Sequence, residues 1–137
     1  MAEREPGDVF LCPYLWSQDH ARGIDNPKNR TACLIFKTKD NAGVTHLVVL
    51  AISDQPPDSE QDAVLVPEIE LRRGGLDAAR PAYVHVSEFN DDVLPFSTSY
   101  EPSGVTLGRF SRSFTEHIAR TLAVSIRAGR SRRFSRA

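Results

Sequence analysis

The chain has 137 residues, 40% of them hydrophobic and 26% charged, with a formal net charge of −1. That length suits a single domain with a real core, and the balance argues against a disordered or collagen-like chain. No apolar run approaches the 18 residues a membrane span needs, and the polar start MAEREPGDVF does not resemble a secretory signal, so a cytoplasmic protein is expected.

The near-neutral total hides an asymmetry. All 18 acidic residues precede position 127, against 12 basic ones there, a net of −6. The last eleven residues, RAGRSRRFSRA, carry five arginines and no acid. Such a segment has too little apolar surface to offset its ordering entropy, so residues 128–137 are expected to form a disordered tail behind a domain of residues 1–127. A tether to phosphates is the less ordinary use of the same charges.

DVFLCPYL (8–15) reads as a short apolar strand whose proline suits an edge or a bulge. Residues 17–30 form a polar loop with Gly23 and Asn26-Pro27 as turn signals, long for a hairpin connection and so of functional interest. TACLIFKT (31–38), the turn KDNAG and VTHLVVLAI (44–52) read as a hairpin, the second strand apolar enough to be buried on both faces. SDQPPDSEQD (53–62) suits neither helix nor strand, and AVLVPEIELRRGG passes from strand to a short helical turn that stops at Gly74-Gly75. PAYVHVSEF (81–89) alternates as one strand, and VTLGRF (105–110) is another. The one long helix, SRSFTEHIARTLAVSI, carries a capping box at Ser113 and Glu116, with Phe114, Ile118, Leu122 and Ile126 on one face. The fold expected is therefore mainly β, a small antiparallel barrel with a C-terminal α-helix.

Cys12 and Cys33 lie inside apolar strands and read as buried thiols. His20, His46, His85 and His117 show no ligand-like spacing, so no metal is expected and each histidine reads as structural or superficial. Neither a Gly-rich phosphate loop nor a serine elbow is present, and no cofactor is expected. What remains is a rim. If 31–38 and 44–52 pair through the turn at 39–43, Arg30 and Ser53 meet at the open end of the hairpin, beside the loop that holds His20, Arg22 and Lys28. Arginine, a hydroxyl and a histidine at one rim can bind phosphate and move protons near neutral pH. An exposed arginine that keeps a loop mouth wet is the plain alternative.

GDVFLCPYLW, the Lys28-x-Arg30 sequence before a hydrophobic strand, the strand ending LAISDQ, VHVSEFNDDV and LGRFS together resemble the PemK/MazF toxins, over roughly residues 7–126. Thr31 stands where the family has proline, Ser53 where threonine is usual, and Glu88 where aspartate is usual. The resemblance implies an SH3-like, PemK-type barrel that forms a homodimer, binds a cognate antitoxin and cleaves single-stranded RNA without a metal. It implies Arg30 as the phosphate-stabilising group, Ser53 as an orienting hydroxyl, His20 as a general base or acid and Glu88 as a base or a bridge to Arg30. Lys28, Arg22 and Asn29 would bind RNA. A barrel of the same kind that acts by protein binding alone, as a gyrase poison or adaptor does, is the alternative, and the acidic body favours it.

Overall fold

The computed structural model describes residues 4–14, 28–59, 62–94 and 106–135. It is mainly β: β1 (Asp8–Tyr14), β2 (Lys28–Lys39), β3 (Thr45–Ser53), β4 (Ala63–Leu65), β5 (Tyr83–His85), β6 (Glu88–Leu94), β7 (Thr106–Arg109) and β8 (Arg132–Ser135). Two helices join them, α1 (Glu68–Arg73) and the C-terminal α2 (Arg112–Arg127). The strands run β4-β5-β3-β2-β1-β7, with β6 on β3 and β8 on β6. All pairs are antiparallel except β6 with β8, and the sheet curls without closing, so the barrel is a loose one.

Alternation along β2 and β3 divides the core in two. Cys33, Ile35, Leu50 and Ile52 face one side, where Phe114, Ile118 and Leu122 of α2 cover them. Ala32, Leu34, Leu47, Val49 and Ala51 face the other side with Phe10, whose ring lies 4.2 Å from the Arg4 guanidinium carbon. The doubly buried character expected of β3 follows from this division. Cys33 is buried, and the side chain of Cys12 lies outside the described residues.

The cap of the long helix lies two residues earlier than the capping box its sequence suggests. Ser111, not Ser113, is the N-cap, its Oγ accepting from Phe114 N–H at 3.2 Å. The carboxylate that completes the cap is supplied in trans: Glu70 of α1 accepts from Ser111 N–H at 2.8 Å and Ser111 Oγ–H at 2.7 Å. Glu116 instead pairs with Arg112 on the exposed face. Ile126 is exposed, and Ser125 takes the buried position in the last turn.

This junction is tight. A Cβ at Gly108 of β7 would sit 2.3 Å from the Arg73 carbonyl oxygen, and Gly75 has φ +70° with Leu107 O only 2.2 Å from where its Cβ would be. Only glycine permits that approach of α1 to β7.

Two expectations are corrected. PAYVHVSEF is not one strand: the ladder breaks at Val86–Ser87 because Val86 N–H turns to Asp62 O (2.8 Å) and Ser87 O accepts from Arg132 N–H (2.8 Å). The tail expected to be disordered supplies β8, whose ladder runs from Glu88↔Arg132 to Asp91↔Ser135 and is joined by an Arg133–Asp91 ion pair. Gly129 at φ +74° and the Arg130 N–H to Ser125 O bond close α2 and turn the chain onto that edge. Backbone bonds and acidic neighbours on β6 offset an ordering cost that composition alone leaves unopposed. Among the described residues, no helix is long and apolar enough to cross a membrane.

Candidate functional site

The β2–β3 hairpin closes at Asp40, whose Oδ1 accepts from Ala42 and Val44 N–H and whose Oδ2 meets His46 Nε2 at 2.9 Å. The His46 hydrogen bond, with that from Val44, holds the Asp40 carboxyl below its usual range. Pairing then proceeds through a bulge at Ile35 to Ala32↔Ala51. The ladder stops there, and Arg30 and Ser53, two residues beyond it on each strand, line the same cavity, the neighbourhood a simple hairpin implies. Arg30 is also held from its other side, since Cys12↔Arg30 is a rung of the β1–β2 ladder. β2 therefore starts at Lys28, and Arg30 lies inside the sheet rather than at the end of a loop.

The outer edge of β3 is shared between two strands. β6 takes Thr45–Val49 and β5 takes Ile52–Ser53, so the sheet forks between them. A cavity of about 480 Å3 opens at this fork. Its lining is formed by Arg30 and Ser53, by Ser87 and Glu88, and by His85 and Asp62 with the Gln55–Asp58 loop. The prolines of that loop deny it a ladder.

Within the cavity the groups differ in exposure. Glu88 and His85 are buried, Arg30 and Ser53 half-buried and Asp58 exposed. Ser53 Oγ accepts from Gln55 N–H at 3.0 Å, which leaves its own hydrogen to donate. Burial pushes the His85 imidazole below its ordinary pKa, against a hydrogen bond to the Gln55 backbone and the charge of Asp62, so the ring is neutral at pH 7. A neutral ring that donates to a carbonyl keeps its second nitrogen as an acceptor, and in His85 the Nε2 atom is buried.

Arg30, Ser53 and Glu88, drawn from three distant stretches of sequence, thus line one cavity. Lys28 and Asn29 lie on β2 opposite Tyr14 and Pro13, and their side chains are outside the described residues. His20 and Arg22 fall wholly outside them. Sequence reasoning missed His85, read as structural, and the acids Asp58 and Asp62. The only signal for His85 was its place in the middle of an alternating segment, and the break after it that turns it into a cavity residue is tertiary. No group of histidines, cysteines and acids suited to a metal occurs among the described residues.

A second, shallower cavity of about 210 Å3 meets the first at Ser53 and is lined by Thr31, Asp54, Asp77 and Arg80 among others. A third, between β2 and α2, has Phe36 and Phe110 in its wall with Arg109 and Arg112 at its rim. Arg109 is engaged by Asp8 at 2.5 Å, which raises the guanidinium pKa further. No family model matches the chain, and no curated protein matches its sequence.

Proposed function

We propose that the protein is a metal-independent endoribonuclease that cleaves single-stranded RNA, the toxin of a toxin–antitoxin pair. The observation that carries this reading is the gathering of Arg30, Ser53, His85 and Glu88 around one open cavity. Together with the PemK/MazF-like motifs, it supports a transphosphorylation mechanism. His85, neutral and with an acceptor nitrogen, takes the proton of a ribose 2′-hydroxyl. The 2′-oxygen attacks the adjacent phosphorus, and the bond to the 5′-oxygen breaks, leaving a 2′,3′-cyclic phosphate. The departing 5′-oxygen takes a proton from water in the open cavity, and the hydroxide so formed takes back the proton held by His85. Arg30 offsets the charge that builds on the phosphorane, which its forked guanidinium suits. Ser53 orients a non-bridging oxygen through its hydroxyl hydrogen.

His85 takes the part the resemblance gave to His20, and Glu88 shapes the wall. The homodimer and the antitoxin follow from the resemblance. Exposed Leu65 and Ile69, on β4 and α1, offer apolar surface for such a partner.

One feature favours a second reading. The cavity sets one arginine against Asp58, Asp62 and Glu88, an excess of acid unusual for an RNA-binding site. A barrel that binds a protein partner without cleaving anything fits that excess. Incubation with single-stranded RNA in EDTA separates the two: the nuclease yields fragments ending in cyclic phosphate, and the binding module yields none.

A further inference from the structure

The acid excess in the cavity raises the question of what attracts a polyanion to it. β8 begins beside two of the residues that line that cavity. Its Arg132 N–H bonds to Ser87 O at 2.8 Å, and in the ladder Arg132 is the partner of Glu88. Ser87 and Glu88 both line the cavity. Aligned residues on neighbouring strands project from the same face, so the Arg132 side chain stands on the cavity side of the sheet beside Glu88. Arg133 projects from the opposite face, where it pairs with Asp91. Arg132 is exposed, and among the described residues no carboxylate pairs with it.

We infer that Arg132 is a second phosphate-binding group of the site, holding an RNA backbone phosphate next to the one held by Arg30. The inference rests on the proposed nuclease reading for its ligand, but its geometry is independent of any cleavage step. It gives the arginine-rich end a definite place: the chain returns through Gly129 to set a second cation beside Glu88, in a cavity whose lining holds three acids and one arginine. The backbone bond to Ser87 fixes the main chain from which that cation projects. An ordered arginine loses less on binding than one on a mobile tail.

The test is the binding of a 2′-O-methyl single-stranded oligoribonucleotide, which cannot be cleaved, followed by fluorescence anisotropy over a range of KCl concentrations. Arg132→Ala keeps the backbone donor to Ser87 and so keeps β8. It should bind about fivefold more weakly at 0.1 M salt, with a salt slope shallower by about 0.7. Arg132→Lys should restore the slope, and Arg112→Ala, at the exposed start of α2, should match the parent. An Arg132→Ala slope equal to the parent's overturns the inference. So does an Arg112→Ala loss as large as that of Arg132→Ala, or a parent that does not bind. Cleavage of unmodified RNA is measured alongside. A parent that binds through Arg132 without cleaving defeats the nuclease reading and leaves the phosphate site standing; a parent that cleaves while Arg132→Ala binds unchanged does the reverse.

Discussion

Two carboxylates in this protein are buried to nearly the same degree, Glu70 at 5% exposure and Glu88 at 4%, and they do different things. Glu70 lies between the helices. It accepts from Ser111 N–H, Ser111 Oγ–H and Arg73 Nη1, and these bonds outweigh the burial that would raise its pKa and hold it below the usual carboxylate value. Its oxygens are consumed in holding α1 to α2. Glu88 lies where the sheet forks and lines an open cavity of about 480 Å3. Burial alone does not separate a structural acid from a site acid; what lies on the far side of the carboxylate does.

Substitutions on each side sharpen that contrast. The largest effect belongs to the cavity: Arg30→Ala should lower RNA cleavage by a hundred- to a thousandfold, the cost of one preorganised donor to a developing dianion. Its melting temperature should stay near the parent's, and Arg30→Lys should recover little. Parental cleavage by Arg30→Ala would remove Arg30 from the mechanism.

Glu70→Ala should do the opposite. It strips the N-cap of α2 of its carboxylate and leaves Ser111 N–H without its acceptor, a loss of about 2–3 kcal/mol. Thermal melting should fall by roughly 6–12 °C, with the cleavage rate below the transition unchanged. A drop in rate without a drop in melting temperature would break the division between the two regions.

The pH profile is a milder probe. Because the folded protein holds His85 below the ordinary value of 6.5, the acid limb of kcat/KM should have its midpoint under that pH, with a plateau above it. Stability follows the same sign. As pH falls through 6.5 the unfolded chain takes up a proton first, so stability declines until the folded-state pKa is passed. Glu70, whose pKa is lowered, adds a separate loss only below about 4.5. His85→Gln should flatten the upper step in chemical-denaturation midpoints and leave the lower one.

The smallest effects belong to Ser53. Ser53→Ala should cost about tenfold in rate, one neutral hydrogen bond to the phosphate, and Ser53→Thr should be close to silent since the hydroxyl is kept. Single-turnover cleavage reads both. A Ser53→Ala rate equal to the parent's would confine the hydroxyl to its bond with Gln55 N–H.

The sequence by itself determined the elements whose signals are local. The apolar runs 31–38 and 44–52 on either side of the turn KDNAG specified a hairpin, and a hairpin brings the Arg30 end of β2 close to the Ser53 end of β3, where both line one cavity. The 3.6-residue period of Phe114, Ile118 and Leu122 specified α2. Tertiary structure decided what depends on partners distant in sequence. Whether Val86–Ser87 continues a strand depends on Asp62 and Arg132, which claim its backbone groups. Whether Ser111 or Ser113 caps α2 depends on Glu70, some forty residues earlier. Whether an arginine-rich end is a tail or a strand depends on the β6 edge it meets. Composition and periodicity report what a segment prefers alone, and a backbone hydrogen bond or a buried carboxylate is worth enough to overrule that preference once folding presents the partner.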